Sequence, residues 1–189
     1  MPRQLSRTAF LATALVAAAA PTAFAAAPAD IDLASARLLV AVELLLADFY
    51  GRALRADRFG VPARDGLRRA LFNEREHLAA VSGVLTGAGE VPATAEDIDF
   101  SYPARTFDAR GDIARAGVNL ERLALGAYLG AVAAVQSPAL KLPLAQIAAC
   151  EARHLTVFAA EATGHALDNS FGDALSIDEA SNALGAYTS

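Results

Sequence analysis

Apolar residues recur along most of this chain at the three- and four-residue spacing of helices buried on one side. Four long stretches carry the pattern. The first runs from about Asp32 to Asp57 and is interrupted by Gly60 and Pro62. The second runs from about Ala63 to Leu85 and stops at Gly87 and Gly89. Residues 88–106 hold Pro92, Pro103 and several acids with no helical period, which marks a long loop. The third helix is predicted from about Asp108 to Val135. Ser137-Pro138 then offers an N-cap and first-turn pair for a fourth, which reaches about Thr163 and ends at Gly164. Pro143 either kinks this helix or marks its true start. A short fifth helix spans about Ile177 to Ala186, with Ser176 at its cap and Asp178 and Glu179 in its first turn. The order is helix, short turn, helix, long connection, helix, short turn, helix, tail. An up-down bundle needs no long connection, whereas a bundle with one crossover does. The fold class is therefore all-α, a four-helix bundle with a crossover between helices 2 and 3 and a short C-terminal helix.

Composition narrows the picture. The chain has 189 residues, 54% of them hydrophobic, with no Trp and a large share of Ala. Such chains favour close-packed helices over sheets. The formal net charge of −5, with no basic cluster, argues against nucleic-acid binding. Cys150 is the one cysteine, which excludes an internal disulfide and a cysteine-based zinc site within these residues. Arg3 and Arg7, the apolar run Thr8–Ala20 and Ala23-Phe24-Ala25 read as an export leader cleaved after Ala25. Residues 26–189 then form the mature domain, exported to the periplasm or the cell exterior, with no stable membrane anchor. The stretch Ser6–Leu11 partly matches a twin-arginine leader but lacks the second arginine, so the Sec and twin-arginine routes both stay open.

The chemistry lies in a doubled motif. Two of the three histidines stand in Glu74-Arg-Glu-His77 and Glu151-Ala-Arg-His154, each near the middle of a predicted helix. With nine glutamates in 189 positions, chance alone supplies well under one Glu-x-x-His match. At i and i+3 both side chains leave one helix face. The other two helices repeat a second motif, Glu43-x6-Tyr50 and Glu121-x6-Tyr128. Glutamate and tyrosine there lie nearly two turns apart and share a face. The distances from these motifs to the next Glu-x-x-His, 31 and 30 residues, agree. The domain thus reads as two copies of one unit.

Each of the four acids interrupts an apolar stripe: Leu39 and Leu46 beside Glu43, Leu67 and Val81 beside Glu74, Gly117 and Leu125 beside Glu121, and Ile147 and Phe158 beside Glu151. Four carboxylates and two imidazoles would meet in the core, where unpaired charge is prohibitive. Two divalent cations would balance the four carboxylates. Oxygen and imidazole donors suit iron or manganese, with zinc or cobalt as competitors. One Glu from each of two helices plus Glu-x-x-His from each of the others is the ligand pattern of dimetal carboxylate bundles.

On these residues the chain resembles the ferritin-like superfamily, with the doubled arrangement of rubrerythrin-type domains. More closely it is similar to an exported ferritin-like family that includes desiccation-related proteins. Val42–Tyr50, Gly126–Gly130, Glu151–His154 and Phe171–Glu179 carry that likeness, over roughly residues 30–187. The resemblance implies that Glu74 and Glu151 bridge two metal ions and that Glu43, Glu121, His77 and His154 are terminal ligands. It implies further that Tyr50 and Tyr128 hydrogen-bond the carboxylates. A four-cysteine iron module of the rubrerythrin kind has no counterpart in a stretch with one cysteine, so no built-in electron relay is expected.

Three functions are compatible with this reading. The first is redox chemistry at a di-iron site reacting with O2 or peroxide. The second is a non-catalytic stress or envelope protein whose metals stabilise the bundle. The third is an iron-storage subunit, ranked last because storage ferritins usually lack a complete second Glu-x-x-His. A homodimer is compatible with all three. Elsewhere, Cys150 reads as a small buried hydrophobe, His165 as a surface residue, and Glu76 and Asp48 as solvated. Gly126 and Gly130 read as sites of close helix packing, and the acidic tail from Asp168 as a packed cap.

Overall fold

The computed structural model describes residues 28–166 and 172–188. The expected leader and the Ala25 site read from the sequence lie outside these residues, as do Asp168 and Phe171 of the tail. The described chain forms α1 (Asp30–Ala56), α2 (Val61–Gly87), α3 (Arg110–Ala134), α4 (Pro138–Thr163) and α5 (Ile177–Gly185). None of these helices is long and apolar enough to cross a membrane.

The helix limits follow from local chemistry. Asp30 and Asp32 occupy the first turn of α1, where acids meet the positive end of the helix dipole. Pro62 and Pro138 occupy the first turns of α2 and α4, where no amide donor is needed. Gly164, at φ 78°, closes α4. Ser176 and Glu179 form a reciprocal capping box on α5. Pro143 neither starts nor ends α4, which runs through it from Pro138. Both Pro143 and Ala139, whose carbonyl loses its partner there, face solvent, so water can take the bond's place. Ser137 stands at the N-cap position but makes no side-chain cap. Its amide is taken instead by Asp32, a buried acid of α1 that accepts from Gln136 N at 2.7 Å and Ser137 N at 3.1 Å.

These ties set the topology. Asp32 puts the start of α1 beside the α3–α4 turn, so α1 and α3 are antiparallel. Arg37 near the start of α1 pairs with Glu90 just after α2 (Nε–Oε2 2.8 Å), so α1 and α2 are also antiparallel. Arg110 at the start of α3 meets Glu161 near the end of α4, with Nε 2.7 Å from Oε2. Residues 88–109 must therefore carry the chain back along α1, a helix about 40 Å long at 1.5 Å per residue. The crossover is anchored on the way. Tyr102 packs against Phe49 and Phe107 and donates to Asp48 Oδ2 at 2.9 Å. Asp48, expected to be solvated, is half-buried because it holds this strap together with Arg52. Phe100 bridges to Thr188, and Ser101 N donates to Tyr187 O at 2.8 Å, which ties the crossover to the C-terminal end.

The core lies between α1 and α3, whose inward faces are almost wholly buried, with α2 and α4 packed outside them. Gly126 and Gly130 do make room for a close approach, but not of a helix. The extended tail runs over them: Leu175 N donates to Gly126 O at 2.9 Å, and a Cβ on Gly130 would collide with the Leu175 carbonyl. Close helix packing is served instead by Gly117, where a Cβ would come within 2.6 Å of the Phe158 ring.

Candidate metal centre

Each half of the bundle supplies three of the six expected groups. α1 carries Glu43, α2 carries Glu74 and His77, α3 carries Glu121, and α4 carries Glu151 and His154. The apolar neighbours of each acid are buried in the core, save Leu125, which is half-buried at its edge, and the carboxylates go with them. All four glutamates are 0% exposed. The rings of His77 and His154 keep 12% and 10% of their side-chain surface, so the cluster meets solvent only at its imidazole edges.

Glu43, Glu74, His77 and Glu151 bring ligand atoms within 4.8 Å of one another, and so do Glu74, Glu121, Glu151 and His154. Glu74 and Glu151 belong to both groups. The symmetry shows in the distances. His77 Nδ1 lies 2.7 Å from Glu151 Oε1, 3.3 Å from Glu74 Oε2 and 3.9 Å from Glu43 Oε1. His154 Nδ1 lies 2.8 Å from Glu74 Oε1, 3.1 Å from Glu151 Oε2 and 4.0 Å from Glu121 Oε1.

The tyrosines cross over. Tyr50 of α1 donates to Glu121 Oε1 of α3, and Tyr128 of α3 donates to Glu43 Oε1 of α1. The Glu-x6-Tyr motif thus joins two helices, since each tyrosine serves the glutamate of the other copy. These two bonds orient one oxygen of each outer carboxylate.

A cation fits what the hydrogen bonds leave undone. Glu43 Oε2, Glu74 Oε1, Glu121 Oε2 and Glu151 Oε1 are buried with no hydrogen-bond partner. Two of them, Glu74 Oε1 and Glu151 Oε1, are the oxygens at 2.8 and 2.7 Å from the rings. They are close enough to pair as charges but lie off the hydrogen-bonding direction, as donors gathered around a common centre do. Buried polar atoms without partners are rare in folded proteins. Four in one cluster are the signature of a group they can hold, and the oxygen and imidazole donor set suits a divalent metal.

The electrostatics show how the cluster balances without one. Burial, then the neighbouring Glu74 and Glu151, push the Glu43 and Glu121 carboxyls well above the ordinary range. Burial pulls both imidazoles down, but the adjacent carboxylates outweigh it, Glu151 and Glu74 foremost. His77 is raised to about 10 and His154 to about 11. Against the upward push of burial, the two rings hold Glu151 below its usual value. Protons therefore stand in for positive charge.

One residue at the site was not anticipated. Asn73, one position before Glu74, reaches from α2 to α4, with Nδ2 3.2 Å from His154 Nε2 and 3.6 Å from Cys150 Sγ. Its signal in the sequence is a polar residue four before His77 on a helix seam, which many solvated positions share. Cys150 is buried as expected, and it also touches His154 Nε2 at 3.7 Å and Arg153 Nη2 at 3.2 Å. His165 and Glu76 are exposed and take no part.

No curated protein matches the chain. The family described as "Ferritin-like domain" matches residues 31–163, most of the chain. The protein belongs to the ferritin-like domain family.

Proposed function

We propose that this is an exported ferritin-like protein of rubrerythrin-like ligand type that binds two divalent metal ions, iron foremost with manganese as the alternative, and reacts with O2 or peroxide. The observation that carries the reading is the pair of overlapping ligand groups sharing Glu74 and Glu151. These two carboxylates would serve both metals. Glu43 and His77 would complete one position, and Glu121 and His154 the other. Export rests on the basic start, the short apolar run and the Ala23-Phe24-Ala25 site.

A bound iron pair supplies one-electron chemistry toward O2 or peroxide. The chain supplies the rest. The carboxylates and imidazoles neutralise the cations in a water-poor core. Tyr50 and Tyr128 hold the outer carboxylates in place. The two imidazole edges are the side on which a small molecule meets the centre. A second reading, metals held for stability in a stress or envelope protein, draws on the complete burial of the four carboxylates. Loading the metal-free chain anaerobically with two Fe(II) and admitting O2 separates the two. Oxidation well above a protein-free control, with O2 consumed, supports the redox function. Bound iron oxidised no faster than the control leaves the structural role.

A further inference from the structure

The two halves of the centre match in their ligands but not behind them. Both rings turn Nδ1 to the carboxylates, which leaves Nε2 as the outward nitrogen. At His154 that nitrogen is met by Asn73 from the opposite helix at 3.2 Å and by Cys150 at 3.7 Å. The corresponding residues, four positions before each histidine, are Asn73 and Cys150 themselves, and both are turned to His154. Among the described residues no hydrogen-bonding partner meets Nε2 of His77. An imidazole that gives Nδ1 to a cation carries its hydrogen on Nε2 and requires an acceptor there. The two ends of an asparagine amide exchange by rotation, so Asn73 can present its carbonyl oxygen to that hydrogen. A hydrogen bond of this kind fixes the ring and strengthens it as a ligand.

Resting on the dimetal reading above, we propose that Asn73 is a positioning residue for His154, and that it makes the Glu74–Glu121–Glu151–His154 position the tighter of the two, filled first. The test is calorimetric and spectroscopic titration of the metal-free chain with Co(II), which reports each step and its coordination. The wild-type chain should bind two ions in distinguishable steps. Asn73→Leu keeps the bulk and removes the acceptor, and should weaken the tighter step about ten- to hundredfold while sparing the other. Asn73→Asp restores an acceptor and should restore the step. In a His77→Ala background Asn73→Leu should cost the same factor, and in a His154→Ala background nothing. An equal loss at both steps, no loss, or a loss that persists without His154 overturns the proposal and leaves the dimetal centre standing. A wild-type chain that binds no Co(II) overturns both.

Discussion

Filling the centre with metal must expel protons, and the structure bounds how many. His77 and His154, at about 10 and about 11, are imidazolium near neutral pH. Each must free Nδ1 to become a ligand, which releases two protons. Glu43 and Glu121 are raised well above the carboxylate range and can add up to two more when cations replace their protons. Loading two divalent ions therefore releases between two and four protons per chain. Each contributes about 1.36 kcal/mol per pH unit, so binding of the pair strengthens by about 3 to 5 kcal/mol per unit as pH rises between roughly 6.5 and 9. Isothermal titration with Mn(II) in buffers of different ionisation enthalpy reads the count as the slope of observed heat against buffer enthalpy. A slope corresponding to no released protons, or affinity flat across this range, would refute the charge balance derived for the cluster.

Two further outcomes follow from named contacts. In the metal-free chain both histidines and the two outer glutamates hold protons more tightly folded than unfolded. The histidine contribution is complete below the unfolded value near 6.5 and is lost as pH climbs toward 10–11. The melting temperature of the metal-free protein should thus fall from pH 6.5 to 9 in a circular-dichroism melt, and a rise would contradict the assignment. Gly130→Ala drives a methyl into the Leu175 carbonyl. It should cost about 1–3 kcal/mol in chemical denaturation and speed proteolysis of the 172–188 tail, leaving metal stoichiometry intact.

How much of this was legible in the sequence depended on whether a feature was local. Helical period and breakers placed the five helices within a few residues, and the doubled Glu-x-x-His together with the doubled Glu-x6-Tyr identified six groups that the fold gathers into one cluster. Period shows which face of a helix is buried but not what covers it. Gly126 and Gly130 signalled a close approach, yet an extended tail rather than a helix makes it, which no helical spacing encodes. Asp48 looked solvated on its own helix and is covered by Tyr102 from a crossover some fifty residues on. That the tyrosines bond carboxylates is implied only by the family resemblance, and their exchange between α1 and α3 depends on antiparallel pairing of the two copies. Asn73 matters only because α4 lies across from it. Pro143 was ambiguous because its tolerance is set by the solvent exposure of Ala139, a tertiary property.

Four buried carboxylates and two imidazoles gathered as a ligand set should hold metal through purification. Elemental analysis of the protein isolated without added metal, beside the Glu74→Ala/Glu151→Ala double variant, addresses this most directly. Both substitutions remove ligands shared by the two positions. Close to two equivalents of iron or manganese are expected per wild-type chain, with loss of both from a variant that remains helical. A wild-type chain free of metal that also refuses it on reconstitution, or a double variant that keeps two equivalents, would contradict this.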